Sequence, residues 1–385
     1  MTMQKYEHFE QLFGAAPMLE VSAAGRINLI GEHVDYCGGK VMPASLNLRS
    51  TVLARRNGTH VVRVYADDLN VTAELNLNDL DHYRGLGWGK YHAGVLSVMK
   101  KAGMPLVGCD LYCSCTVPFG SGLSSSAAIE VSAAVVFQML AGTPYDLVQT
   151  AVLCQKAENE YCGVNCGIMD QFASAMGKKD KAILLDCKTL DYEYIPLKLG
   201  RYELIVSNCN KPHALVTSKY NERRAEVDRA LELLRPLLPH AACLADITPE
   251  QFESAKHVLS GKLLDRATHV VEECERVRKA AEALKQGDIL TLAGLINASH
   301  DSLSRLYEVT GKEPDALAYA ARATDGCIAS RMIGAGFGGC TISLVEQGKT
   351  EAFKEAVGRR YYHETGYHAS FYDTSIEDGV TIRTL

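Results

Sequence analysis

Hydrophobic positions recur with helical spacing at the start of this chain. Tyr6, Phe9, Leu12 and Phe13 fall on one side and Gly14 ends the run, which predicts a short amphipathic helix. Residues 60–66 and 71–77 alternate in part between apolar and polar, which predicts two strands. Helical spacing returns over 88–102 and stops at Gly103. A strand is expected over 111–117, then helices over 127–139 and 145–161, a short helix holding 168–176, and a strand over 182–186. Past about residue 198 the texture shifts. An apolar strand at 202–207 precedes charged helices at 218–234, 263–285 and 288–298. A strand at 341–345, a helix at 349–362 and a strand at 369–374 follow. Strands and helices do not alternate strictly, so the expectation is an α+β fold rather than a doubly wound sheet. A boundary near 196–201 divides the chain into residues 1–198 and 199–385.

Composition narrows the function classes. At 385 residues the chain has room for two or three domains. Its net charge of −6 gives no basic footprint for nucleic acid. No run approaches the roughly 18 apolar residues of a membrane span. The first residues lack the charged-then-apolar pattern of an export signal, so a cytoplasmic setting is expected. The thirteen cysteines then read as free thiols. Cys113/Cys115 and Cys162/Cys166 are close pairs, but neither has partners at zinc spacing.

Four segments carry candidate chemistry. Residues 117–128 read Val-Pro-Phe-Gly-Ser-Gly-Leu-Ser-Ser-Ser-Ala-Ala. Two glycines in a tight loop before a helix leave backbone N–H groups open to an anion, although a plain loop-to-helix junction has the same look. No Walker A lysine is present. Residues 25–36 crowd Arg26, Glu32, His33 and Asp35 among apolar neighbours. That pattern fits a surface salt-bridge cluster or a pocket for several hydroxyls. Asp170, in Cys-Gly-Ile-Met-Asp-Gln, either caps a helix or serves as a general base. Glu158 is either a solvated helix residue or, with a serine hydroxyl, part of a Mg²⁺ site. Residues 334–339, Gly-Ala-Gly-Phe-Gly-Gly, precede a strand rather than a helix, which excludes a dinucleotide fingerprint. A turn touching a phosphate or a second lobe remains open.

Taken together, GRINLIGEHVDY, PFGSGLSSSAA, CGIMDQ and GAGFGGC, in that order along residues 25–340, resemble the motifs of the GHMP small-molecule kinases and, within them, the galactokinases. The resemblance implies a two-lobed fold with its active site in the cleft between lobes. It implies phosphorylation of the anomeric 1-hydroxyl of galactose, with ATP as co-substrate and Mg²⁺. By position, Gly120, Ser121, Gly122, Leu123, Ser124, Ser125 and Ser126 would hold the ATP phosphates, and Ser126 with Glu158 the Mg²⁺. Glu32, His33, Val34 and Asp35 would contact sugar hydroxyls, with Gly167 beside them and Tyr220 as a further sugar contact. Asp170 would be the base and Arg26 its neighbour, stabilising charge on the transferred group. Cys37-Gly38 is similar to relatives acting on N-acetylgalactosamine, whereas Cys166 fits the pattern for plain galactose. Galactose is therefore the expected substrate, with N-acetylgalactosamine, another sugar, or a non-catalytic sensor as alternatives. The intact serine–alanine run at 124–128 speaks for turnover. The expected partners are small molecules only, with no nucleic acid and no membrane, bound by a monomer or a dimer.

Overall fold

The computed structural model describes residues 2–211 and 216–385. A six-stranded sheet organises the first half of the chain. Its order is Thr381–Thr384, Leu19–Asn28, Pro43–Arg56, Cys109–Cys115, Val61–Ala66, Val71–Asn76. Neighbours are antiparallel, except that Val61–Ala66 and Cys109–Cys115 run parallel. Side chains alternate across a strand, so its two faces are covered differently. Val21, Ala23, Val52 and Ala54 join Val131 and Ala134 of the helix Ser125–Ala141 in the main core. Leu53, Tyr65 and Tyr112 point the other way and pack on Phe9 of the N-terminal helix Thr2–Phe13.

A second sheet belongs to the later half, in the order Cys327–Met332, Cys340–Glu346, Tyr202–Asn208, Ser370–Asp373, antiparallel throughout. Between them lies a small sheet of Lys40–Val41, Lys181–Asp186 and Tyr192–Pro196. The charged stretches form the helices Val216–Leu234, Gly261–Gln286 and Ile289–Ser302. The fold is α+β, as the uneven order of elements predicts.

The structure adds elements that the pattern hides. Leu19–Asn28 is buried almost throughout, so it shows no apolar–polar alternation. Pro43–Arg56 is likewise covered at its start. The helix Lys312–Arg322 and the strand Cys327–Met332 also go beyond the expected elements. The final strand Thr381–Thr384 is exposed, with Ile382 its one apolar side chain, yet pairs Leu19 with Thr384 and Ser22 with Thr381. The end of the chain thus returns to the first sheet, across the boundary expected near 198.

Candidate active site

The site begins with a fault in a strand. Pairing of Leu19–Asn28 with Pro43–Arg56 shifts register between Ala24 and Arg26. Such a bulge kinks the strand and redirects a side chain. Gly25 at this point lies so close to the glycine–serine loop that a Cβ would stand 2.8 Å from the Leu123 carbonyl oxygen. The Arg26 N–H donates to that same carbonyl at 3.0 Å. The Arg26 side chain then reaches into the cleft. Its Nε donates to Asp170 Oδ1 at 2.8 Å and its Nη2 to Asp170 Oδ2 at 2.9 Å. Its Nη1 donates to the Gly122 carbonyl at 2.5 Å. One buried guanidinium therefore joins the acid to the loop. A bidentate fork of this kind fixes direction as well as charge.

Asp170 occupies the first turn of the helix Met169–Met176, where a carboxylate suits the helix dipole. Its oxygens do not cap the helix. They take Arg26 and, at 2.6 Å, the hydroxyl of Ser124. Ser124 precedes the helix Ser125–Ala141 and makes no side-chain cap. It holds a left-handed backbone, φ 62°, a costly conformation for a serine. Since Ser124 turns its hydroxyl to Asp170, the helix N-terminus keeps its N–H donors for another acceptor.

A cavity of about 780 Å³ opens between these groups. Its lining includes Gly120, Gly122, Ser124, Ser125 and Ser126 on one side. Glu32, His33, Asp35, Gly167 and Tyr220 line it as well, with Arg26, Glu158 and Asp170. Asp35 lies against Gly167, where a Cβ would come within 2.2 Å of Asp35 Oδ2. Burial, then the charge of Asp170, pushes the Asp35 carboxyl up to about 7. The Tyr220 ring packs on His33 and Tyr36.

Glu32 and His33 already hold partners. Glu32 Oε1 pairs with Arg331 at 2.7 Å and accepts from the Gly334 N–H at 2.8 Å, while Oε2 accepts from Asn28 at 3.1 Å. His33 Nε2 lies 3.2 Å from the Ala335 carbonyl, and Nδ1 lies 2.8 Å from the Tyr36 hydroxyl. The carbonyl can only accept, so Nε2 carries the proton and Nδ1 accepts. Burial pushes His33 down to about 3, which keeps the ring neutral. Both residues thereby brace the closing glycine segment. That segment also packs directly on the loop: a Cβ at Gly334 would lie 2.7 Å from the Gly122 carbonyl oxygen.

Glu158 sits on a π-helical turn, Ala157–Cys162, at the end of the helix Leu147–Lys156. Such turns often serve function. Burial, then Asp170, pushes Glu158 up to about 7, while a hydrogen bond to Ser126 works in the opposite direction. No group of three or more His, Cys, Asp or Glu residues among those described is placed to hold a metal ion. The Ser126–Glu158 pair nevertheless fits Mg²⁺, a hard cation that takes one or two protein oxygens and completes its shell with phosphates and water.

Three expected residues fall outside the cavity. Val34 is fully buried in the core. Leu123 is buried as well, and Ser121 gives its hydroxyl to the Pro118 carbonyl. Their backbone shapes the turns that carry their neighbours. The sequence reading missed Tyr91, Ser218 and Asn221 in the lining, and Gln171 and Glu130 behind Glu158. No motif signal pointed to Tyr91, whereas Ser218 and Asn221 flank Tyr220 in the segment Ser-Lys-Tyr-Asn-Glu-Arg-Arg. Glu130 could have been noticed, because it lies one helical turn after Ser126.

Comparison with known proteins shows the family. Residues 90–178 match the GHMP kinases N terminal domain, residues 280–363 the GHMP kinases C terminal model, and residues 7–56 the galactokinase galactose-binding signature. A galactokinase of Clostridium tetani is 43% identical over 97% of this chain and 95% of its own length. One from Exiguobacterium sibiricum is 43% identical over 98% of both chains. The crystal structure of Lactococcus lactis galactokinase complexed with galactose superposes with a TM-score of 0.94, at 40% identity over 99% of both chains. A mevalonate kinase shares the fold at a TM-score of 0.65 and 18% identity, covering 93% of this chain and 99% of its own. Fold and cleft together define an ATP-using small-molecule kinase of the GHMP class. Within that class, the chain belongs to the galactokinase family.

Proposed function

We propose that this chain transfers the γ-phosphoryl group of ATP to the anomeric 1-hydroxyl of galactose, giving galactose 1-phosphate and ADP. The observation that carries this reading is the junction at Asp170, which holds Arg26 and Ser124 of the glycine–serine loop while facing the same cavity as Asp35 and Tyr220. Phosphoryl transfer asks mainly for alignment and neutralisation of charge. Sugar hydroxyls meet Asp35 and Tyr220, Glu32 and His33 brace the wall of the pocket behind them, and Gly167 leaves room for the Asp35 carboxylate. Loop N–H groups from Gly120 to Ser126 receive the phosphates. As the sugar oxygen attacks phosphorus, its O–H bond breaks and the proton passes to Asp170. The new O–P bond forms while the bond from the γ-phosphorus to its bridging oxygen breaks, and ADP leaves with that electron pair. Arg26 faces the charge that develops during transfer.

Ser126 and Glu158 would hold Mg²⁺, which neutralises phosphate charge when bound. The cleft lies between a lobe of residues 1–198 and one of 199–385, with the last strand returned to the first. A cytoplasmic enzyme fits this reading, and no described helix is long and apolar enough to cross a membrane.

The test is ADP release from ATP and Mg²⁺ with galactose, N-acetylgalactosamine, 2-deoxygalactose and arabinose, with the product read by ³¹P NMR. Galactose should give the highest kcat/KM and an anomeric phosphate signal. ADP release no faster with galactose than without sugar would overturn the proposal.

A further inference from the structure

Behind the cleft, Glu158 rests on a clamp whose other members, Gln171 and Glu130, lie outside the cavity lining. Gln171 is fully buried and follows Asp170 on the helix Met169–Met176. Its Nε2 donates to Glu158 Oε2 at 2.6 Å and to Glu130 Oε2 at 3.2 Å. Burial, then the charge of Glu158, pushes the Glu130 carboxyl well up, and Glu130 shares a hydrogen bond with Glu158, so the amide NH₂ faces a pair of coupled carboxyls. Glu130 is fully buried and stands one turn after Ser126 on the helix Ser125–Ala141. Ser126 and Glu130 therefore share a face of that helix, and Glu158 lies against both. The arrangement is costly as a folding device. Gln171 Oε1 and Glu130 Oε1 are both buried without a hydrogen-bond partner among the described residues.

We propose that Gln171 is the positioning residue that fixes Glu158 opposite the Ser126 hydroxyl, so that the pair presents its oxygens to the nucleotide-bound cation. This rests on Ser126 and Glu158 as the cation-holding pair. Residues that orient ligands from behind typically change metal affinity by about 10–100-fold when replaced. Adjacent positions on one helix then set the two halves of the chemistry. Asp170 turns to Arg26 and Ser124, and Gln171 turns to Glu158.

The experiment measures ADP affinity by calorimetry, with and without Mg²⁺, on wild type, Gln171→Met and Glu158→Gln. The ratio of the two affinities reads how strongly the protein holds the cation beside the nucleotide. Gln171→Met should lose about 10-fold of the Mg²⁺ preference. Affinity for ADP alone and KM for galactose should stay within about twofold, and excess Mg²⁺ should restore most of kcat. If Gln171→Met does not fold, Gln171→Asn withdraws the donor with less change in the core and should show the same loss. Should Glu158→Gln leave the Mg²⁺ preference intact, the cation-pair reading itself fails. Should Glu158→Gln abolish it while the Gln171 variants keep it, the positioning role is wrong. A kcat that excess Mg²⁺ cannot restore, with the preference unchanged, also overturns it.

Discussion

Asp35 shows how far one residue's surroundings can shape a function. Its carboxyl is pushed up to about 7, first by burial and then by the nearby charge of Asp170. Sugar hydroxyls donate best to the ionised form. At saturating ATP and Mg²⁺, kcat/KM for galactose should therefore climb with pH through about 7 and level off above it. Excess cation keeps Glu158, also near 7, out of that profile. Stability should move the other way. The unfolded chain ionises Asp35 near 3.8, so its stabilising share is full below that pH and is lost as pH rises towards 7. Asp35→Asn should raise Tm at pH 8, change it little at pH 4, and weaken galactose binding. A flat kcat/KM between pH 6 and 8 would contradict this account. The sequence made Asp35 a candidate through its company in GEHVD. It could not show that Glu32 Oε1 and His33 Nε2 are turned to the closing glycine segment and its neighbour Arg331, since Arg331, Gly334 and Ala335 lie some 300 residues away.

At the scale of elements, short irregularities deliver the site's side chains. The bulge at Gly25 aims Arg26, and the π-helical turn Ala157–Cys162 carries Glu158. A second π-helical turn, Leu303–Tyr307, places the Tyr307 hydroxyl 2.8 Å from Tyr36, which in turn holds His33. Gly25→Ala should therefore act on function as well as stability. Its Cβ would press on the Leu123 carbonyl, a backbone atom that cannot swing aside. Overpacking of this kind costs about 1–3 kcal/mol, and displacement of the loop should raise KM for ATP more than KM for galactose. Thermal melts and the two KM values check this, and an unchanged KM for ATP would refute it. Regular helices were legible because a 3.6-residue repeat and a terminal glycine are local signals. The helix 263–285 is observed as Gly261–Gln286, and 349–362 as Thr350–Thr365. The strand Leu19–Asn28 escaped because burial on both faces erases alternation. The bulge and π turns escaped because a single extra residue leaves no periodic trace.

Across the whole molecule, the cleft is an agreement between distant segments. Residues 26, 122, 124 and 170 meet in one hydrogen-bonded group, and residues 334–339 close over the loop from the later half. The motifs and their order were readable in the sequence. Their convergence was legible only through family resemblance, because no local rule links a strand near residue 26 to a helix near residue 170. The return of Thr381–Thr384 to the first sheet left no clear signal, as all four side chains are exposed and Ile382 alone is apolar. The central claim is that Asp170, held by Arg26 and Ser124, takes the proton of the attacking hydroxyl. It is tested most directly by Asp170→Asn, assayed for galactose-dependent ADP release beside wild type, with circular dichroism melts to confirm the fold. The account predicts a folded protein that still binds ATP and turns over about 10²–10⁴-fold more slowly. A folded variant with kcat close to wild type would contradict it.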